Sequence, residues 1–367
     1  MSDKQLQVHK VAQRSEKMLL SLTEQIQVLK DELEENVFYQ TYAKAALSKL
    51  PKLTRANVDY AVNEMEERGY VFDKKPAGST VKYAMSIQNI IDIYEQRGVA
   101  KYRDRFKKAF TIFVGNLKGG VSKTVSTVSL AHALRTHPHL LFEDLRILVI
   151  DLDPQSSATM FLNHTQAVGM VETTAAQAML QNVTREELIN EFIVPSVIPG
   201  VDLIPASIDD AFIASSWDSL CQEYLPEQNV HSVLRENIVD KLEHDYDFIF
   251  VDSGPHLDAF LKNAIASADL LMTPVPPAQV DFHSTLKYLT RLPELIDIIE
   301  KSGFPCRILS NIGFMSKLSN KSDHKLCHSL AKEIFGGDML DSALPRLDGF
   351  ERCRSEEHTS ELQSLRH

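Results

Sequence analysis

Cysteine is scarce and scattered in this 367-residue chain: the four present, Cys221, Cys306, Cys327 and Cys353, include no CxxC pair. Such spacing argues against a disulfide framework, a thiolate metal site or an iron–sulfur cluster, and fits reduced thiols. Long apolar runs are missing as well. No stretch reaches the roughly 18 apolar residues of a membrane span, and the opening "MSDKQLQVHK" has no signal-like apolar segment, so a cytoplasmic protein with no membrane partner is expected. No GxGxxG follows a strand-like run, which argues against a dinucleotide-binding turn. What is there, 44% apolar and 24% charged residues, is the composition of a globular protein of two or three domains.

The net charge of −11 divides unevenly, into +4 over residues 1–108 (19 Lys+Arg against 15 Asp+Glu) and −15 over the remainder. A basic module joined to an acidic one suggests that the first meets a polyanion. Val8, Ala12, Leu19, Leu22, Ile26, Leu29 and Leu33 recur at steps of three and four, broken only at Ser15, which predicts a dimerisation helix over residues 1–38. The same stripe could instead pack on its own domain. Residues 39–98 read as a winged helix-turn-helix. A helix and a Leu-Pro-Lys-Leu connection lead to a second helix capped by Thr54 and closed by Gly69, followed by a strand, a "KKPAGS" turn and another strand. In such a module Thr54, Arg55 and Asn57 are candidates for base edges of double-stranded DNA, and Lys74, Lys75 and Lys82 for phosphates.

A charged linker over 99–108 precedes strand-like runs, "FTIFVGN", "LRILVIDLD", "VDLIPAS", "YDFIFVDSGP", "DLLMTPVPP" and "RILSNIGF", alternating with helical stretches. Near-continuous apolar strands of this kind predict an α/β domain over 109–353, with a mostly parallel sheet covered by helices on both faces. The stretch "RSEEHTSELQS", within residues 354–367, resembles the in-frame translation of a sequencing adapter, so native sequence is expected to stop near Cys353.

Chemistry concentrates in "VGNLKGGVSKTVSTVSLA", residues 114–131, where strand, loop and helix follow in the order that aims backbone N–H groups at phosphate. Gly119 and Gly120 allow positive φ and close backbone approach. Val121, Ser122, Lys123, Thr124 and Val125 complete the cradle, with Lys123 on the β- and γ-phosphates and Thr124 on Mg2+. Ser122 stands where the ordinary pattern has glycine, at a cost of about 1 kcal/mol. Asp151 and Asp153 end a buried strand expected beside the loop strand; one can serve magnesium while the other orients water, and Asp252 after "FIFV" is a further magnesium-side carboxylate.

"KGGVSKT" with its early Lys118, "DLDPQSSAT" and "VDSGP" resemble the deviant Walker-A ATPases, and residues 1–353 resemble the ParA plasmid-partition family, of the large type with an N-terminal operator-binding domain. The resemblance implies an ATP-sandwich homodimer in which Lys118 reaches the partner's phosphates. It further implies that Asp153 orients water, that Asp151 and Asp252 serve Mg2+, and that Asn311 contacts adenine near Thr273, Pro274 and Pro277. It implies nonspecific nucleoid-DNA binding in the ATP state, a ParB-type partner that stimulates a slow ATPase, and operator repression in the ADP state. Lys317, Lys321, Lys325, Arg346 and Arg352 are phosphate-contact candidates. A membrane-cycling MinD-like relative and a metabolic enzyme of the same fold are the alternatives.

Overall fold

The computed structural model describes residues 9–15, 17, 18, 21, 40–163, 173–319 and 321–346. Of the expected N-terminal helix, the described residues up to 21 are helical; the rest of it, Arg352 and residues 354–367 lie outside the described residues. Two compact units emerge: residues 1–106 with 133–145 and 163–172, and residues 107–132 with 146–162 and 173–367.

In the first unit, a 3-10 turn (Lys44–Lys49) leads to α1 (Arg55–Glu67), the hairpin β1 (Lys74–Ala77) and β2 (Thr80–Tyr83), and α2 (Ile87–Gln96). Thr54 starts α1 through a reciprocal cap: its hydroxyl accepts from the Asn57 N–H at 3.3 Å and its own N–H donates to Asn57 Oδ1 at 2.7 Å. Gly69 (φ 90) ends it, with the Tyr70 and Gly69 N–H groups returning to the carbonyls of Met65 and Glu66. Leu47, Val58, Ala61, Val62, Met65, Phe72, Ile90 and Ile93 form the core. The hairpin departs from the sequence reading, because Lys74–Ala77 is strand and the turn is only Gly78-Ser79. Gly78 (φ 67) supplies the left-handed first position that a two-residue hairpin turn favours.

The second unit is built on a seven-stranded sheet: β3 (Phe110–Val114), β4 (Ile147–Asp151), β5 (Val194–Pro195), β6 (Val201–Ile204), β7 (Phe248–Asp252), β8 (Leu270–Val275) and β9 (Ser310–Met315), in the order β5-β6-β4-β7-β3-β8-β9. All pairings are parallel except the short β5 on β6. Every residue of β4, and all but the first of β7, is buried, as a sheet covered on both faces requires. Helices α3 (Lys123–Thr136), α4 (Ser157–Leu162), α5 (Ala175–Gln181), α6 (Ala259–Ser267), α7 (Gln279–Lys301) and α8 (Ser322–Phe335) accompany it. One expectation is corrected: β4, which carries Asp151, is not next to β3. β7 lies between them and puts Asp252 there instead, because hydrogen-bonded order is set by long-range crossovers that local pattern does not encode.

Candidate nucleotide site and DNA-facing surface

The loop leaves β3 through two residues that fix its path. A Cβ on Gly115 would fall 2.6 Å from the Phe113 ring and 2.7 Å from the Tyr288 hydroxyl, so only glycine passes. Buried Asn116 donates to the Pro274 carbonyl at 3.0 Å and the Thr285 hydroxyl at 2.9 Å, and accepts from the Lys118 N–H at 3.0 Å. Gly120 takes φ 74 and Ser122 φ 73, whereas Gly119 is not left-handed. The second left-handed position thus belongs to the serine. Val121 is buried and Val125 half-buried. The Ser122 carbonyl accepts from both the N–H and hydroxyl of Ser126, at 2.9 and 2.6 Å, which locks the start of α3.

Lys123 is 7% exposed, and its ammonium donates to the Lys118 carbonyl at 3.3 Å. Burial lowers its pKa, opposed by the charges of Asp252 and Asp153. Asp151 and Asp252 face each other in register at the carboxyl ends of β4 and β7, both with no exposure. Burial raises the pKa of both, and the Asp151 charge pushes Asp252 further up. Their oxygens differ in employment. Asp151 accepts from the Asp153 N–H (3.0 Å) on one oxygen and from the N–H and hydroxyl of Thr159 (2.9 and 2.8 Å) on the other. Neither oxygen of Asp252 has a hydrogen bond, although the Thr124 hydroxyl and Lys123 ammonium lie close enough to oppose the rise in its pKa.

A buried carboxylate without donors calls for a cation. Asp252 beside Thr124 therefore fits a hard divalent ion, whereas the committed oxygens of Asp151 suit holding the Asp153 turn and α4. Among the described residues no group of three or more His, Cys, Asp or Glu is arranged to hold a metal unaided. An ion here would complete its shell with phosphate and water oxygens. Asp153 is half-buried; its Oδ1 accepts from the Gln155 N–H at 3.0 Å and would meet a Cβ on Gly254 at 3.3 Å. Gly254, Asn116 and Thr159 were missed as site residues, although they stand inside the quoted "VDSGP", "FTIFVGN" and "DLDPQSSAT".

Asn311, expected to contact adenine, is the second residue of β9, level with Leu271, and its Oδ1 accepts from the Thr273 hydroxyl at 2.8 Å. Just past the strand's last residue, Met315, stands Ser316, a buried hydroxyl with no hydrogen bond. Lys317 (φ 53) follows, Lys321 and Lys325 are exposed at the start of α8, and the Arg346 N–H donates to the Leu318 carbonyl at 3.0 Å.

On the first unit the expected base readers separate. Thr54 and Asn57 spend side-chain oxygens on the cap, while Arg55 is 92% exposed, with only Asp59 at 4.0 Å. Lys74 is engaged by Glu66 at 2.8 Å and by the Tyr83 ring at 4.7 Å, so its phosphate role must compete with an internal contact. Lys75 and Lys82 are exposed and directly opposed across the hairpin.

Family models for a ParA helix turn helix domain and an AAA domain match residues 15–106 and 109–302. Plasmid partition protein A of Escherichia coli is 75% identical over 95% of this chain and 87% of its own length. Protein SopA of Escherichia coli K12 is 29% identical over 66% of this chain and 58% of its own. A solved partition protein matches with TM-score 0.82 and 49% identity, covering 100% of this chain and 98% of its own. A Mycobacterium smegmatis cobyrinic acid a,c-diamide synthase with bound ATP analog and magnesium shares the fold at TM-score 0.52 and 21% identity, over 65% of this chain and 86% of its own. On the first of these identities and the two family models, the chain belongs to the ParA family of plasmid-partition ATPases.

Proposed function

We propose that this chain is a Mg2+-dependent partition motor in which ATP drives homodimerisation and DNA binding, and hydrolysis releases both. The observation that carries the reading is the Asp252 carboxylate, buried without a donor beside Thr124 and Lys123 on the strand adjoining the loop strand. Lys123 and the loop amides hold the β- and γ-phosphates, and Thr124 and Asp252 hold the ion. Bound there, magnesium neutralises charge developing on the phosphates. Asp153 orients the attacking water while Asp151 fixes the turn that presents Asp153, and Asn311 offers its amide to adenine. No arginine occurs in the loop, so turnover is slow until Lys118 of a second protomer arrives.

Residues 39–98 serve operator recognition and autorepression in the ADP state, with Arg55 reading a base edge and Lys75 and Lys82 on phosphates. Residues 1–38 support the dimer, and 109–353 form the ATPase domain. Lys317, Lys321 and Lys325 serve nonspecific nucleoid DNA in the ATP state, and a ParB-type protein accelerates hydrolysis. The test is a pair of variants followed by equilibrium nucleotide binding and phosphate release. Lys123→Ala should lose ATP affinity at least about 100-fold. Asp153→Ala should bind ATP normally with turnover reduced at least about 100-fold; unchanged turnover removes Asp153 from its role.

A further inference from the structure

Lys118 is held three times within its own chain. Its N–H donates to Asn116 at 3.0 Å, its carbonyl accepts from the Lys123 ammonium at 3.3 Å, and its own ammonium lies 3.3 Å from Asp281 in the first turn of α7. That turn is tied to the same loop by a second route: Thr285 donates its hydroxyl to the Asp281 carbonyl at 3.0 Å and accepts the Asn116 amide at 2.9 Å. The start of α7 therefore grips both the backbone that carries Lys118 and the charge at the side chain's tip.

We infer that Asp281 is a positioning residue that parks Lys118 in cis and competes with its capture by the nucleotide of a second copy, setting the ATP level at which two protomers close. The inference rests on the proposed cross-subunit role of Lys118. An ammonium cannot lie against Asp281 and also be spent on a partner's triphosphate, so closing requires the exchange of one anion for another. Both side chains are about one-third exposed, 37% for Lys118 and 33% for Asp281. A pair so accessible to water is weak, and a triphosphate, with more charge and several acceptors, displaces it. The contact therefore acts as a threshold. Asp281 also lies in the first turn of its helix, where a negative charge is favoured.

The experiment measures closure of the two nucleotide domains in the full chain, by energy transfer between protomers labelled on those domains with donor and acceptor, against increasing concentrations of a non-hydrolysable ATP analogue with magnesium. Asp281→Asn should reach half of the closure signal at about two- to fivefold lower analogue concentration than the parent, the range expected for losing one exposed ion pair. Asp281→Glu, which keeps the charge and the helix-terminus interaction, should stay near the parent. Binding of a fluorescent ADP should be unaltered in both, as a folding control. In a Lys118→Ala background Asp281→Asn should shift nothing, because its effect passes through that ammonium. An unchanged or raised midpoint for Asp281→Asn overturns the inference, as does a full shift in the Lys118→Ala background. If Lys118→Ala alone closes and turns over like the parent, the cross-subunit reading itself falls, whichever way Asp281→Asn moves.

Discussion

Ser122 is where the loop departs from the ordinary pattern, and its φ of 73 explains why glycine is usual there. A left-handed non-glycine residue costs about 1–2 kcal/mol. Replacing it by glycine relieves that strain but returns about 0.5–1 kcal/mol through the entropy of a more flexible unfolded chain. Ser122→Gly should therefore raise stability by no more than about 1.5 kcal/mol in denaturant titration and leave ATP affinity within about twofold; a larger gain would mean that the serine is held by strain beyond its own backbone. That Lys123, Thr124, Asp153 and Asp252 come together was legible because a phosphate loop and strand-end carboxylates obey short spacings. The unequal hydrogen bonding of Asp151 and Asp252 was not. It depends on Thr159, eight positions away from Asp151, and on which strand adjoins β3. Asp281 was illegible for the same reason, since it meets Lys118 only after the chain has crossed four further strands of the sheet beyond β4.

Among elements, the six longer strands of the second unit each overlap a strand-like run of the sequence, although β9 begins three residues into "RILSNIGF" and runs one residue past it to Met315. β5 was not readable, because two residues ending in a proline carry no periodic signal and pair only at an edge. The hairpin shows a different failure. Lys74 and Lys75 look like turn residues by composition, yet they are strand, and the register sets Lys75 against Lys82. Like charges directly opposed on a two-stranded ribbon cost stability in the free protein. An anion between them reverses the sign, and this makes the hairpin suited to a phosphate. Changing both Lys75 and Lys82 to Gln should weaken operator binding about uniformly across sequences and reduce the slope of log affinity against log salt by about 2. Arg55→Ala should instead cost about 1–3 kcal/mol at one base-pair position while leaving that slope nearly unchanged. Footprint titrations at several salt concentrations separate the two.

For the whole molecule, the family models fall on either side of the expected boundary, at 15–106 and 109–302, while the compact units are interleaved along the chain. Residues 99–108, read as a linker, include a short helix, Tyr102–Arg105, which together with Lys101 before it is ion-paired to the segment 133–145 within the same unit. Asp144, left-handed at φ 47 and 15% exposed, meets Lys101 at 3.0 Å, Arg103 at 3.1 Å and Arg135 at 2.8 Å. One carboxylate thus joins three cations drawn from two separate stretches of chain, an arrangement no local pattern reveals. Burial alone would raise the Asp144 pKa, but Arg135 and Lys101 outweigh it and hold the carboxyl below its ordinary value of 3.8. A carboxylate depressed in the folded state stabilises that state above the unfolded pKa and loses its contribution as pH falls through the folded value. Asp144→Asn keeps the left-handed preference and the size but removes the charge, so it should cost about 2 kcal/mol at pH 7. The difference from the parent should shrink progressively below pH 3.8, where the parent's own carboxyl begins to take up a proton in the unfolded chain and then in the folded one. The single tryptophan, Trp217, belongs to the other unit. Urea curves followed by its fluorescence should therefore move less than those followed by far-ultraviolet circular dichroism, and equal shifts by both probes would mean that the two units unfold as one.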